Sequence, residues 1–246
     1  MAAVGAGVDV RSPRQHPESA SLRWRDGWAA PSRYGAPAAR LVYRARMKQL
    51  HRPDLFTWSR YDEPLRIDFN GILWRREGGN VLVDPPPLAD HDVHHLDALG
   101  GAASIVLTTS DHVRAARDIS ARTGAQLLGP AGERSTFPVA CAAWLSDGDE
   151  PFPGLRVREL AGSKTDGELA LVLEETTAIF GDAVRAHHAG ALMLLPRQKL
   201  RDPARLLESV RRVRALHPRI AHVLVGDGWS AFNDGGALLD ALLASV

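Results

Sequence analysis

Four apolar runs of this sequence are followed closely by an aspartate, and this repeated pattern limits the folds that the chain can adopt. The aspartates are Asp84, Asp111, Asp182 and Asp227. Each follows a run of Val, Leu, Ile or Phe that is short enough to be a buried strand. Carboxylates gathered at one edge of a sheet repel one another unless a cation or a proton lies among them. The pattern therefore predicts a sheet whose edge carries a cation site.

The segment 104–112 contains the most informative of these strand ends. Residues 104–107 predict a buried strand, and the spacing of apolar residues from Val113 onward predicts a helix over 112–123. Asp111 and His112 would then lie where a strand ends and a helix begins, which is where ligands and metals bind in open α/β sheets. The alternative is that Asp111 only caps the helix.

The other patterns predict an α/β protein whose second half has an element order similar to that of the first. In the first half, strands are predicted at 65–70, 71–76, 81–84 and 125–128, and a polar helix at 89–98. In the second half, strands are predicted at 155–160, 169–173, 177–180 and 222–225, and helices at 203–216 and from Gly235 onward. Residues 130–154 are interpreted as a connector.

The first 52 residues differ from the rest in composition. They hold ten Lys or Arg against three Asp or Glu, so they carry +7 while the remainder carries −6. Their Ala, Gly, Pro and Ser content predicts a flexible basic extension over 1–52, followed by one folded domain over 53–246. Met47 is an alternative start, in which case the upstream residues are an over-called reading frame. Otherwise the extension is a basic tail that contacts an acidic partner.

Composition also argues against several classes of function. The acidic body lacks the basic surface that nucleic-acid binding requires. No apolar run reaches the length of a membrane span, and no signal-peptide pattern is found at the start. Cys141 is the only cysteine, so the chain forms no internal disulfide, as suits a reducing cytoplasm. We therefore expect a cytoplasmic protein that binds a small molecule, with neither nucleic acid nor membrane as its partner.

The order of the motifs resembles that of the metallo-β-lactamase fold superfamily over residues 55–246. The matching features are the strand before Asp84, the pair Asp111-His112, the turn 162–168, the pair Gly181-Asp182 and the turn 226–228. The resemblance implies an α/β fold, a four-layer αβ/βα sandwich of two mixed sheets flanked by helices. It also implies one or two metal ions at the sheet edge.

This sequence departs from the family's metal-binding pattern at several positions. Leu107 and Thr109 replace the two leading histidines of the family's His-x-His-x-Asp-His motif, and Lys164 replaces the histidine of the next motif. The first metal site therefore lacks its three histidines. The family's last histidine is replaced by Asp227, whereas the motif's Asp-His pair and Asp182 are retained.

The resemblance then implies a second metal site made of Asp111, His112, Asp182 and Asp227. We hypothesise a single divalent ion there, such as zinc, manganese or iron; oxygen-rich ligand sets also suit harder ions such as Mg²⁺ or Ca²⁺. A second hypothesis is that the ammonium group of Lys164 occupies the space of the lost first metal and pairs with Asp182.

Two classes of function follow from this reasoning. The first is a hydrolase in which a metal-bound water attacks a small ester, thioester, lactone or phosphoester, with Asp111 or Asp227 accepting the proton and Lys164 in the active site. Three anionic ligands would weaken such a metal as a Lewis acid. The alternative is a catalytically inactive member that binds a small ligand or partner in the former cleft. A nucleic-acid-processing member would need an inserted domain, for which this chain has no room.

Two further groups of histidines are candidates for metal binding. His91 and His95 are spaced i, i+4 on the predicted polar helix, but no third ligand accompanies them, and a solvated helix face is the simpler interpretation. His187 and His188 are predicted to lie in a loop after Asp182, from which one of them could reach the site.

Overall fold

The computed structural model describes residues 47–245, so the predictions for residues 1–46 lie outside the described part of the chain. Two sheets of different size form the framework. The first sheet has seven strands in the order β1 to β7, and the second has four strands in the order β13-β10-β9-β8. A separate hairpin is formed by β11 and β12.

The first sheet changes from antiparallel to parallel pairing at β4. Its strands, from β1 to β7, are Lys48–Gln49, Leu55–Asp62, Ile67–Trp74, Val81–Val83, Ser104–Val106, Gln126–Pro130 and Ala143–Leu145. Strands β1 to β4 pair antiparallel, whereas β4, β5, β6 and β7 run parallel. Because β4 and β5 are parallel neighbours, their carboxyl ends open at the same edge of the sheet.

The second sheet brings another pair of parallel strands to this part of the molecule. Its strands are β8 (Leu155–Glu159), β9 (Leu169–Leu173), β10 (Thr177–Phe180) and β13 (His222–Val225), and the hairpin strands are β11 (Val184–His188) and β12 (Ala191–Leu194). Strands β10 and β13 are parallel, and the other pairs in this sheet are antiparallel. The segments after β10 and β13 therefore emerge side by side.

Among residues 47–245, four helices cover the outer faces of the sheets, and the apolar residues form three cores. The helices are α1 (Asp90–Ala98), α2 (Ala116–Thr123), α3 (Pro203–Leu216) and α4 (Gly235–Ala244). The central core joins the two sheets, with Val83 and Val106 from the first and Leu171 and Leu224 from the second. The outer cores pack α1 and α2 on the first sheet and α3 and α4 on the second. The result is the predicted four-layer sandwich of two mixed sheets between helices.

The strongly periodic elements are predicted correctly by the sequence. The helix over 203–216 and the strands over 169–173, 177–180 and 222–225 have the predicted bounds. The apolar face of α3 is buried, as the spacing of its apolar residues predicts. Asp202 caps this helix by accepting a 3.0 Å hydrogen bond from the amide of Arg205. None of the helices within residues 47–245 combines the length and the apolar character that crossing a bilayer requires.

Three predictions about local structure are wrong. The strands predicted at 65–70 and 71–76 are one strand, β3, in which Gly71 lies against Trp58 and Pro86 and has no space for a side chain. The helix predicted at 112–123 begins only at Ala116, because Arg114 has a positive φ of 40° that a helix does not allow. His188 ends strand β11, so the segment predicted as a loop is a hairpin.

Candidate functional site

The four aspartates of the sequence pattern emerge from strand ends of both sheets. Asp84 follows β4, Asp111 follows β5 in a short 3₁₀ turn, Asp182 follows β10, and Asp227 follows β13. The amide side chain of Asn70 fixes the two sheets to each other at this edge. It donates hydrogen bonds to the carbonyl oxygens of Val225 (2.9 Å) and Gly228 (2.7 Å), the residues on either side of the Asp227 turn.

Two glycines of the Asp227 turn are required by close packing. A Cβ at Gly226 would lie 2.8 Å from Cε1 of His112, and Gly228 has a φ of 94° with the carbonyl of Ala186 where a side chain would be. The turn can therefore approach the histidine only without side chains at these two positions. This is the physical reason for the Gly-Asp-Gly pattern.

His112 is held in place by a buried aspartate. Asp84 has a φ of 46°, is 3% exposed, and accepts hydrogen bonds from the amide (2.8 Å) and the hydroxyl (2.5 Å) of Thr108. The same carboxylate lies 2.8 Å from Nδ1 of His112, while Nε2 lies 3.5 Å from Asp182. Asp84 thus fixes the orientation of the imidazole from behind, with Nε2 directed toward the other carboxylates.

Three of the four predicted metal ligands come together. His112, Asp182 and Asp227 are all buried and offer ligand atoms that lie within 4.8 Å of one another. Asp111 does not belong to this group among the described residues; its side chain is 38% exposed and forms an ion pair with Lys164. We refer to His112, Asp182 and Asp227 as the donor group.

Two arginines lie against the donor group. The sequence patterns do not assign either of them to the site. Nη2 of Arg114 lies 3.1 Å from Nε2 of His112 and 3.0 Å from Oδ1 of Asp227. Arg185 donates to the other carboxylate oxygen of Asp227, and its Nη2 is 3.8 Å from Asp182. The side chains of Arg114 and Arg185 are 11% and 8% exposed, so these contacts are shielded from water.

Lys164 lies on the more open side of the donor group. Its ammonium group contacts Asp111 and is 3.9 Å from Oδ2 of Asp182. The carboxylate of Asp111, more than that of Asp182, is therefore its near partner. Burial alone would lower the pKa of Lys164, but the hydrogen bond and charge of Asp111 raise it, so the group carries its charge at neutral pH.

The buried charges shift the pKa values of their neighbours in a consistent direction. Burial alone would lower the pKa of His112, but the carboxylate of Asp84 raises it to about 9. Burial alone would raise the pKa of Asp182, but the adjacent His112, followed by Arg185 and Lys164, lowers it well below its usual range. The carboxylates of Asp84 and Asp182 thus favour the charged imidazole of His112, whereas the guanidinium of Arg114 opposes it.

Glu168 supports the Asp182 segment from inside the protein. Its Oε1 accepts hydrogen bonds from the amides of Asp182 (2.8 Å) and Ala183 (2.7 Å), and its Oε2 accepts one from the hydroxyl of Ser163. Burial, and next the charge of Asp182, raise the pKa of Glu168 to about 7. The side chain is fully buried and positions the backbone after β10.

The positions of the lost histidines are filled by side chains that pack in the core or contact neighbouring polar residues. Leu107 is fully buried in the core under α2, and Thr109 contacts the hydroxyl of Thr165 at 3.1 Å. Thr165 in turn donates a 2.7 Å hydrogen bond to the buried Glu133. With Lys164 at the third position, the residues that replace the histidines offer no imidazole to a metal.

A cavity of about 380 Å³ opens over the donor group. Its charged lining includes five basic side chains, from Arg60, Arg114, Lys164, Arg185 and Lys199, and three carboxylates, from Asp111, Asp182 and Asp227. Its apolar lining residues are Leu65, Ile67, Phe69, Pro86, Pro87 and Leu195. The cavity can thus contact both a charged and an apolar group of one ligand.

The other histidine candidates are not members of the donor group. His91 is 3.2 Å from Asp92 on its own helix, and His95 packs edge-on against Phe56. Within residues 47–245, neither they nor His187 and His188 belong to a group of three possible ligands.

The donor group has suitable ligand types for a metal, but basic side chains already lie against it. Asp227 is paired with two guanidinium groups, and Nε2 of His112 faces Arg114 and Asp182. A divalent ion placed among these atoms would face Arg114, Arg185 and Lys164 at short range. In this arrangement the residues do not fit a divalent metal.

Sequence reasoning overlooked four residues that form the site. The sequence pattern marks Asp84 as a strand end but not as the partner of His112, and it places Glu168 only within the turn 162–168. Arg114 and Arg185 follow His112 and Asp182 by two and three residues, and that proximity was the one signal that pointed to them. The positive φ of Arg114, which turns its side chain back into the site, has no sequence signature.

The comparisons with known proteins agree with the fold. Residues 47–246 match the family model described as the metallo-beta-lactamase superfamily, and a search of curated proteins gave no match. A solved metallo-beta-lactamase from Erythrobacter litoralis is similar in structure at 16% identity, covering 81% of this chain and 96% of that chain with a TM-score of 0.64.

Two other solved structures are similar to the same extent. A metallo-beta-lactamase from Pontibacter korlensis has 13% identity, covers 81% of this chain and 99% of its own, and has a TM-score of 0.63. The DIM-1 metallo-beta-lactamase has 14% identity, covers 81% and 97%, and has a TM-score of 0.64. At these identities the likeness concerns the fold.

Proposed function

Because the chain belongs to the metallo-β-lactamase superfamily, we propose that it uses the superfamily's cleft to bind a small molecule, without a catalytic metal. One observation carries this proposal. Nη2 of Arg114 contacts both Nε2 of His112 and Oδ1 of Asp227, the atoms that a metal in the retained site would use. Superfamily members typically bind metal ions, so this replacement by a guanidinium separates the chain from the hydrolytic members.

The charge balance around Asp227 supports the same conclusion. This carboxylate is 1% exposed and holds both Arg114 and Arg185. To admit a divalent ion, both guanidinium groups would have to leave a buried partner, and an unpaired buried charge is costly. We therefore expect the cleft to remain metal-free at the metal concentrations of the cell, and hydrolysis by a metal-bound water to be absent.

A second candidate function is supported by a separate observation. The carboxylate of Asp84 on Nδ1 of His112 is the arrangement that commonly orients a metal-binding histidine. If the arginines withdrew, His112, Asp182 and Asp227 could hold one zinc, manganese or iron ion, which would supply an activated water for hydrolysis. Asp111 and Asp227 are the carboxylates available for proton transfer in that case. The substrate would be a small ester, thioester, lactone or phosphoester.

The test is the metal content of the purified full chain after exposure to zinc, manganese or iron salts and removal of the excess. We expect far less than one ion per chain, and a melting temperature that does not change when a chelator is added. The variant with both Arg114→Met and Arg185→Met exposes the donor group and is expected to retain metal. The matched control is Arg122→Met, which removes an exposed arginine of α2 outside the cavity.

The opposite result would support the hydrolase. One ion per wild-type chain, lost in Asp182→Ala and accompanied by a fall in melting temperature with chelator, would overturn the metal-free proposal. Hydrolysis of a panel of small esters and lactones that stops with chelator would do the same. The Arg114 and Arg185 variant should then bind no more metal than the wild type does.

A further inference from the structure

We infer that the ligand of the cleft is a small organic anion, with one carboxylate or phosphate group at its end and an apolar body. This inference rests on the proposed function, since it assumes that no metal ion fills the donor group. It is carried by three features of the cavity: an excess of basic side chains, a buried arginine with an unused donor, and several apolar lining residues.

The excess of positive charge remains after the internal ion pairs are taken into account. Asp227 and Asp182 are held by Arg114 and Arg185, and Asp111 is held by Lys164. Lys199 also lines the cavity, is exposed, and has no ion pair or hydrogen bond from its ammonium group among residues 47–245. An anion in the cavity would therefore meet an uncompensated cation, whereas a cationic ligand would meet repulsion.

Arg185 provides an independent indication of a missing partner. The residue is 6% exposed and lines the cavity, and its Nη2 binds Asp227. Its buried Nε, however, has no hydrogen-bond partner in the described part of the chain. Buried donors of this kind are nearly always satisfied in folded proteins, by protein, water or ligand. Arg185 also lines the cavity, and a guanidinium binds an anion more strongly than a neutral partner.

The apolar part of the cavity lining indicates that the ligand is more than an inorganic ion. Leu65 is 62% exposed although it is a large apolar residue, and it lines the cavity together with Ile67, Phe69 and Leu195. An apolar body placed there would remove this surface from water. The volume of about 380 Å³ is at the lower end of the range for small-molecule pockets and suits one short ligand.

The test is calorimetric titration of the full chain, first treated with chelator to remove metal and then dialysed free of the chelator, which is itself an organic anion. The probes share one aromatic body: phenyl phosphate and phenylacetate as anions, 2-phenylethanol as the neutral compound, and 2-phenylethylamine as the cation. Inorganic phosphate tests the charged group alone. We expect the preferred anion to bind at least about tenfold more tightly than the neutral compound and than inorganic phosphate, and the cation to give no heat of binding. The comparison of phenyl phosphate with phenylacetate identifies the anionic group.

Lys199→Gln is the variant that tests the charge argument, because the side chain is exposed and the substitution should leave the fold intact. We expect it to weaken anion binding by about fivefold or more and to leave the neutral probe unchanged. Lys48→Gln, an exposed lysine on β1 outside the cavity, is the matched control and should bind as the wild type does.

Three results would overturn the inference. They are equal binding of the anionic and neutral probes, binding of inorganic phosphate as tight as that of the organic anions, and no binding of either organic anion up to about 10 mM. These failures are distinguishable from failure of the proposed function. A metal ion retained by the wild type overturns the metal-free proposal, whatever the chelator-treated protein binds.

Discussion

Arg114 donates a 3.0 Å hydrogen bond to Asp227, although the two residues are 113 positions apart in the sequence. The contact depends on an uncommon backbone conformation, since Arg114 has a φ of 40° in the turn between the 3₁₀ segment and α2. Such strained conformations persist where surrounding contacts hold them and are frequent at functional sites. Here the guanidinium also donates to the carbonyls of Asn70 and Asp84, so its position is fixed from several sides.

Removal of the charge of Asp227 is expected to destabilise the protein more than removal of Arg114. Asp227→Asn leaves the buried guanidinium of Arg114 without an anion and leaves Arg185 only the more distant Asp182, and we expect a loss of about 3–5 kcal/mol in the free energy of unfolding. Arg114→Met should cost less, because Asp227 keeps Arg185. Urea unfolding of both variants and of the double variant measures the coupling. A larger loss for Arg114→Met than for Asp227→Asn would contradict the assignment of charges.

The contact between Asp84 and His112 predicts a dependence of stability on alkaline pH. The pKa of His112 is raised from 6.5 to about 9 in the folded state, so its contribution is fully present below pH 6.5 and is lost as the pH rises through 9. The contribution is at most about 3 kcal/mol. In Asp84→Asn the main raising charge is removed, and the unfolding free energy should change less over this interval.

The imidazole itself provides a direct measurement. Titration of the His112 ring signals by NMR should show a lower pKa in Asp84→Asn than in the wild type. Asn is a suitable replacement because it tolerates the positive φ of this position, whereas Asp84→Ala combines strain with lost hydrogen bonds to Thr108. Identical titration curves for wild type and Asp84→Asn would show that another group sets the charge of His112.

Glu168 is expected to tolerate loss of its charge but not loss of its oxygen atoms. In Glu168→Gln the side chain still accepts from the amides of Asp182 and Ala183, whereas Glu168→Ala leaves both amides without an acceptor and should cost about 3 kcal/mol or more. Because the folded pKa is raised from 4.5 to about 7, the contribution of Glu168 is present below pH 4.5 and is lost as the pH rises through 7.

This sign gives the pH test of the glutamine variant. Relative to wild type, Glu168→Gln should gain stability between pH 4.5 and 7, by up to about 3 kcal/mol, since it has no proton to lose there. Chemical unfolding at a series of pH values measures the difference. A constant difference over that interval would mean that Glu168 titrates normally in the folded protein.

The fold could be predicted because its main signals are local. The apolar stripe of α3 and the short apolar runs of β9, β10 and β13 each identify an element without information from elsewhere in the chain. The sequence patterns do not predict the hairpin of β11 and β12. Strand β11 ends in two histidines, and its side chains change along the strand from buried to exposed. Periodicity is a weak indicator for such an edge element.

The composition of the site could be predicted only in part, for a different physical reason. A residue that replaces a metal ligand is visible in the motif, as Lys164 is, but a guanidinium that reaches in from another position is not. Arg185 and Arg114 act through long side chains whose direction depends on a backbone turn and on tertiary packing. The sequence therefore indicated where charges would gather, and only the structure gave the side chains that balance them.

The final prediction concerns Gly226, which limits how closely the Asp227 turn approaches His112. In Gly226→Ala the new methyl group would lie 2.8 Å from Cε1 of His112 and 3.2 Å from the carbonyl oxygen of Gly181, so the imidazole or the turn must move. We expect a loss of about 1–3 kcal/mol in unfolding free energy, with a shifted NMR signal of the His112 ring. Gly78→Ala is the control, because its methyl group meets only the flexible end of Arg76. Its stability should stay close to that of the wild type. An unchanged His112 signal in Gly226→Ala would contradict this prediction, because it would show that the turn has room for a methyl group beside the imidazole.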